Sequence, residues 1–234
     1  MSAPRGLFVT GTDTGVGKTV VAAGLLRLAR RRGLTPIPFK PAETGCDPDP
    51  KDALRLWRAA APPIAKDEVC MHALPLPAAP ALAAAVAGRR IDVGALAGRA
   101  RALAERGDFL LVEGAGGLLV PYADGQTTAD VAALIGLPLL VVGRMALGTI
   151  NHVALTLSEA SRRGLPIAGC VLNRTDSEVG PHEAGNLDLI ASVTGRRPLG
   201  VVPHLDPAAR DDDDQVADAL EAAIDNEALR LLLG

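Results

Sequence analysis

The residues best suited to chemistry lie near the start of the chain. They form the run Gly11-Thr12-Asp13-Thr14-Gly15-Val16-Gly17-Lys18-Thr19 between a short apolar segment and a helical one. Glycines here let the backbone N–H groups of Gly15, Val16 and Gly17 turn inward on phosphate oxygens. The N-terminus of the following helix adds partial positive charge. Lys18 can bridge the outer phosphates, and the Thr19 hydroxyl can bind magnesium. Five residues separate Gly11 from Gly17, and Thr12 stands where the strict P-loop pattern has its first glycine, so the Gly-Lys-Thr end carries the signal. The chemistry indicated is nucleotide binding and phosphoryl transfer.

Other polar residues follow apolar runs in the same way, and in an open parallel sheet ligands bind beyond the carboxyl ends of the strands. Lys40 ends a second run and offers another cation to the same phosphates. Glu113-Gly114-Ala115-Gly116-Gly117 ends a third, and its carboxylate has the Walker-B position that holds or orients magnesium. Gly148-Thr149-Ile150-Asn151-His152 opens a helix whose free N–H groups could take a carboxylate or phosphate. Asn173 can pair with a base edge, and Pro203-His204-Leu205 follows the last run.

The elements that must position these residues read as alternating strands and helices. Strands are expected at 7–10, 35–39, 109–112, 139–142, 167–172 and 199–202. Pro36 and Pro38 suggest that the second is an edge or irregular strand. Helices are expected at 18–32, 52–60, 92–106, 128–135, 149–163 and 183–194. The alternation implies parallel strands with right-handed crossovers, and the continuous apolar strands imply a sheet covered on both faces. The proline-rich stretch 62–80 reads as an irregular excursion. Asp211 to Asp214 reads as the solvated start of a C-terminal helix. The fold class is α/β: a single-domain P-loop NTPase over residues 1–234, with a mostly parallel sheet between helices.

Composition narrows the function classes. The 234 residues carry 24 Lys plus Arg against 27 Asp plus Glu, a net charge of −3, and only 2% are aromatic. Such a chain is a poor nucleic-acid binder by charge or by base stacking. Three scattered cysteines, Cys46, Cys70 and Cys170, suit neither a disulfide framework nor a zinc site. With no signal peptide or membrane-length apolar run, a cytoplasmic location is expected. His72, His152, His182 and His204 have no metal-ligand spacing. Cys170 reads as core, Trp57 and Tyr122 as packing, and Asp130 as part of a first helical turn.

Together with Lys40-Pro41, Thr44-Gly45, Leu147 to His152, Leu172-Asn173 and Gly200 to Pro203, the phosphate loop and the Glu113 run resemble the dethiobiotin synthetases, in that family's order along nearly the whole chain. The resemblance implies a biotin-pathway ligase using ATP, Mg2+, carbon dioxide and 7,8-diaminopelargonic acid. One amine of the substrate becomes a carbamate, the carbamate attacks the terminal phosphate, and the second amine displaces phosphate to close a cyclic urea. It also implies site roles. Thr19, Asp52 and Glu113 hold magnesium, and Lys18 and Lys40 balance phosphate and carbamate charge. Thr14 and Thr44 touch phosphate or substrate, while Asn173 and the backbone near Pro203 read adenine. Gly148, Thr149 and Asn151 bind the distant substrate carboxylate at a homodimer interface, with Asn186 contributed by the partner subunit. On this reading Lys18→Ala and Lys40→Ala each cripple turnover and leave the fold intact. Two departures touch substrate contacts: Arg144-Met145-Ala146 replaces a more usual Arg-Pro-Gly run, and Ala79-Pro80 a common Ser-Pro pair. Cobyrinate-type amide synthetases and switch ATPases of the partition or septum-positioning kind share the loop and remain alternatives. The first usually carry a glutaminase domain, for which this chain ends too early. The second place a signature lysine where Asp13 stands.

Overall fold

Seven parallel strands form the centre of the computed structural model, which describes residues 5–180 and 183–234. In chain order the elements are β1 (Gly6–Gly11), α1 (Lys18–Arg31), β2 (Pro36–Thr44), α2 (Lys51–Ala60), β3 (Cys70–Leu74), α3 (Pro80–Val86) and α4 (Val93–Ala104). There follow β4 (Phe109–Gly117), β5 (Pro121–Ala123), β6 (Gln126–Thr127), α5 (Thr128–Ile135), β7 (Leu139–Arg144) and α6 (Thr149–Arg162). The last are β8 (Ile167–Asn173), α7 (Asn186–Thr194), β9 (Gly200–Val202), α8 (Pro207–Asp211), α9 (Asp213–Ala223) and α10 (Asn226–Leu233). The sheet order is β3-β2-β4-β1-β7-β8-β9, and β5 and β6 form a separate antiparallel hairpin. Because β1 and β4 are neighbours although α1 leads away to β2, a crevice opens at their carboxyl ends.

Strand alternation divides the core. Leu7, Val9, Leu111, Leu140 and Val142 face α1 and α9, whereas Phe8, Leu110 and Val112 face the side covered by α4 and α5. A smaller cluster of Val141, Leu172, Val153 and Ile190 lies under α6 and α7. Both faces are thus covered, as the apolar strands imply.

Two expectations need correction. β2 is an interior strand, between β3 and β4. Lys40 N–H donates to the Val69 carbonyl, so alternate residues of β2 present their N–H groups toward β3. Pro36 and Pro38 share that direction, but pairing with β3 begins only at Lys40. Their missing donors therefore break no ladder bond, and the prolines fit a central position. Second, the proline-rich stretch contains β3, the edge strand, and ends at the start of α3. β3 has only five residues and mixed burial, which left little periodic signal to read.

The acidic run does begin a helix. Asp212 caps α9 by accepting from the N–H groups of Asp214 and Gln215. Its neighbours are more than solvated, however: Asp214 pairs with Arg27 at 2.6 Å and with Arg31 at 2.7 Å, tying α9 to α1. Asp130 lies in the first turn of α5 and accepts from Thr127 N–H. Trp57 donates to the Ile64 carbonyl, and Tyr122 is fully buried. Cys46 and Cys170 are buried; burial raises the Cys46 thiol and pushes Cys70 and Cys170 each up to about 12. No described helix is long and apolar enough to cross a membrane. His182 lies outside the described residues.

Hydrogen bonds from Arg27 and then Arg31 hold Asp214 at about 2, below its ordinary 3.8. Its contribution to stability is therefore present above pH 4 and is lost as pH falls through 2. We expect Asp214→Asn to cost about 0.5–1 kcal/mol at pH 7, since the pair is half-exposed and screened. Thermal melts of both proteins should converge as pH drops from 4 toward 2.

Candidate functional site

The phosphate loop is shaped by contacts that the sequence does not display. Lys18, the first residue of α1, folds back so that its Nζ donates to the Asp13 carbonyl at 2.9 Å. Asp13 Oδ1 accepts from the Thr14 N–H. Gly17 caps α1 at φ +96°, and a Cβ there would sit 2.1 Å from Asn173 Nδ2. That closeness has a purpose: Asn173 donates to the Val16 carbonyl at 3.0 Å, so the end of β8 braces the loop. A side chain at position 17 would suffer from both the left-handed backbone and the clash.

Beside the loop lies a buried cluster of charge. β4 carries Glu113 level with Val9 of β1, and the Glu113 side chain is fully buried. Its Oε1 accepts from Thr19 Oγ1 at 2.9 Å and from Lys40 Nζ at 2.5 Å. Lys40 Nζ also donates to Asp52 Oδ2 at 3.0 Å. One ammonium thus lies between two carboxylates from different elements. Burial opposes the Lys40 charge, but Glu113 and Asp52 outweigh it and raise the ammonium above its ordinary range. Burial works against ionised Asp52 too, yet Lys40 holds it below the usual carboxylate value. Lys18 is lowered, chiefly by burial, with Glu113 opposing. Glu113 Oε2 is buried without a hydrogen-bond partner. An orphaned carboxylate oxygen beside Thr19 Oγ1 and Asp52 is a donor set suited to a hard cation.

Glu43 is a site residue that the sequence analysis missed. Its two carboxylate oxygens accept from the N–H groups of Asp52 and Ala53, each at 2.9 Å. It thereby satisfies the open first turn of α2 and aims Asp52 into the cluster. The acidic residue within Lys40-Pro41-Ala42-Glu43-Thr44-Gly45 was visible, but nothing local says that it caps a helix eight residues on.

These groups line one cavity of about 790 Å3. It brings together Thr14, Gly15, Gly17, Lys18, Thr19, Lys40, Thr44, Asp52, Glu113, Asn173 and Pro203. Ala79 and Pro80 line it as well, while Pro77, Ala78, Val120, Arg55 and the segment around Arg210 add walls that the sequence did not suggest. Such a volume falls within the roughly 300–1,000 Å3 range of small-molecule sites. Val16 is buried behind the loop and presents its carbonyl to Asn173.

Gly148, Thr149, Asn151 and Asn186 are not brought to this cavity. Gly148 caps α6 at φ +92° and is exposed, as is Asn151. Thr149 is buried, with its Oγ1 unpartnered at that helix start. Neighbouring Leu147 is 84% exposed. Asn186 starts α7 with its amide buried 3.9 Å from Met145 Sδ. Among the described residues no group of three or more His, Cys, Asp or Glu is placed to hold a metal.

The expectation that Lys40→Ala leaves the fold intact changes with this geometry. Removing the ammonium strands Glu113 as an uncompensated buried charge, and we expect a loss of about 3–5 kcal/mol. Lys18 has no such buried ion-pair partner, and Lys18→Ala should melt close to wild type. Parallel denaturant titrations of the two variants check this.

A model described as an AAA domain matches residues 5–211. The chain is 50% identical over 207 residues to the ATP-dependent dethiobiotin synthetase BioD of Anaeromyxobacter dehalogenans strain 2CP-C, covering 88% of this chain and 93% of that protein. It is 40% identical over 215 residues to the protein of the same name from Cellvibrio japonicus, covering 88% and 92%. Among solved structures, a ParA family ATPase from Chlorobium tepidum aligns with TM-score 0.54 at 16% identity, over 99% of this chain and 97% of that one. The MinC:MinD cell division complex of Aquifex aeolicus aligns with TM-score 0.56 at 12% identity, over 92% and 86%. Those two likenesses establish the fold; the nearer relatives, sharing two-fifths to half of their residues over most of their length, establish the family. This chain belongs to the ATP-dependent dethiobiotin synthetases.

Proposed function

We propose that this chain joins carbon dioxide to 7,8-diaminopelargonic acid at the expense of ATP and closes the product to dethiobiotin, releasing ADP and phosphate. The observation that carries the reading is the Lys40 ammonium held between Glu113 and Asp52 beside the Lys18 loop, in a cavity with room for a nucleotide and a second small molecule. Family membership supplies the substrates.

The chain's residues act mainly by position and charge. One substrate amine adds to carbon dioxide and loses a proton, giving a carbamate. A carbamate oxygen attacks the terminal phosphorus, and ADP leaves. The second amine then attacks the carbamoyl carbon, and phosphate departs as the ring closes. Every step redistributes negative charge among oxygens, so catalysis requires fixed cations and alignment more than a protein nucleophile. Lys40, held between Glu113 and Asp52, serves as one such cation. Lys18 supplies the other by exchanging the Asp13 carbonyl for phosphate oxygens. The backbone of Gly15, Val16 and Gly17 cradles the phosphates, and Thr14 and Thr44 contact phosphate or diamine. Thr19, Glu113 and Asp52 hold magnesium, which when bound neutralises the outer phosphates. The orphaned Glu113 Oε2 supports that assignment. Asn173 and Pro203 face the base, Asn173 with its amide oxygen and the one N–H that does not brace Val16.

Gly148, Thr149 and Asn151 bind the substrate's distant carboxylate. The unpartnered Thr149 hydroxyl at a helix N-terminus suits an anion. Their distance from the cavity lining fits a homodimer in which this turn serves the partner's site, with Asn186 supporting it. A cytoplasmic enzyme of one domain over residues 1–234 completes the proposal.

The test mixes the protein with magnesium-ATP, bicarbonate and 7,8-diaminopelargonic acid and follows products by mass spectrometry. Dethiobiotin and ADP should appear in equal amounts. Lys18→Ala should lower kcat by on the order of 10²–10³ while the protein stays folded, the scale of losing one charge-stabilising group. ATP hydrolysis without dethiobiotin would remove the substrate assignment.

A further inference from the structure

One wall of the cavity is built on little packing. The short helix α8 contributes Arg210 and Asp211 to the lining, yet none of its residues is buried. Apolar anchors flank it: Leu205 before it packs on the core, and Val216 in α9 is fully buried. Among the described residues, the hydrogen bond that ties α8 to the rest of the fold comes from Arg55. Its Nη2 donates to the Arg210 carbonyl, and its Nε pairs with Asp213 Oδ1 at 3.0 Å just beyond α8. Both partners of that ion pair are largely shielded, Arg55 at 15% and Asp213 at 19% side-chain exposure. A planar guanidinium presents the two donors from separate nitrogens in a fixed fork, a geometry that a lysine's single, flexibly held ammonium does not reproduce.

Arg55 also has a telling place in the chain. It lies one helical turn past Asp52 on α2, and α2 and α9 both pack on α1. The element that presents a carboxylate to the Lys40 cluster therefore also holds the wall that follows Pro203 to Leu205. We infer that Arg55 is a positioning residue for nucleotide binding: through Asp213 and the Arg210 carbonyl, it fixes α8 as the wall against the base-and-sugar half of the nucleotide. This rests on the nucleotide reading of the cavity given above.

A positioning role on the nucleotide side makes a pattern that a general structural role does not. Arg55→Ala should raise the KM for ATP and the Kd for ADP by roughly tenfold, the loss of one charge-assisted tie. The KM for 7,8-diaminopelargonic acid should stay within about twofold, and kcat within about threefold, because the phosphate end keeps its residues. Asp213→Ala should reproduce much of the ADP effect, and the double variant should be no worse than Arg55→Ala. Arg55→Lys, which keeps the charge but loses the fixed fork, should fall between. Calorimetric titration with ADP reads affinity without any turnover. If wild type binds no ADP, the nucleotide reading falls and this inference with it. If wild type binds and Arg55→Ala binds equally well, the nucleotide reading stands and the Arg55 role is overturned. A variant that weakens ATP and diamine equally, or that only lowers the melting temperature, also overturns it.

Discussion

Burying Lys40 between Glu113 and Asp52 is the constraint on which the rest of the site depends. An isolated ammonium or carboxylate at such depth is strongly disfavoured, because water solvates ions far better than protein does. Here the charges are tolerated because three elements converge: β2 brings the lysine, β4 the fully buried glutamate, and α2 the aspartate. The arrangement therefore requires β2 and β4 to be adjacent and α2 to begin close to the end of β2. Both requirements are met by the strand order and by Glu43, which holds the first turn of α2 from the end of β2. One glutamate side chain thus sets the position of the aspartate that pairs with Lys40.

The same economy appears around the phosphate loop. Lys18 rests on the Asp13 carbonyl, Asn173 braces Val16, and Thr19 leans on Glu113. Each tie holds a loop side chain or carbonyl in place before any ligand arrives. The site is stiff at its phosphate end, where the sheet supports it, and lightly held at α8, where polar ties replace packing. That gradient suits an enzyme whose chemistry needs exact phosphate geometry and whose nucleotide must also enter and leave.

Much of the scaffold was legible because it is written in local pattern. The strand beginning at Phe109, the helix from Lys18 and the helix from Thr128 are fixed by apolar runs, a glycine-lysine start and a cap. β2 misled because prolines are judged by strand type, whereas their acceptability depends on which side of the strand has a partner. Pro36 and Pro38 point their missing donors to the side where β3 has not yet begun. β3 itself is an edge strand of five residues whose partner lies some thirty residues back, so no local signal marks it.

The sequence by itself determined the phosphate loop, Lys40 and Glu113 as charged residues directly after apolar runs, the alternating α/β order, and the family, because each is carried by residue type within a short span; that β2 and β4 run on past both residues, to Thr44 and Gly117, is tertiary. Only the tertiary structure decided that Lys40 is the counter-ion of Glu113 and Asp52, that Glu43 aims Asp52, that Asn173 donates to the loop, and that Arg55 reaches α8. The reason is physical. A side chain's role in a buried polar cluster is set by which partner lies within 3 Å, and those partners come from segments 9 to 157 residues away in the chain.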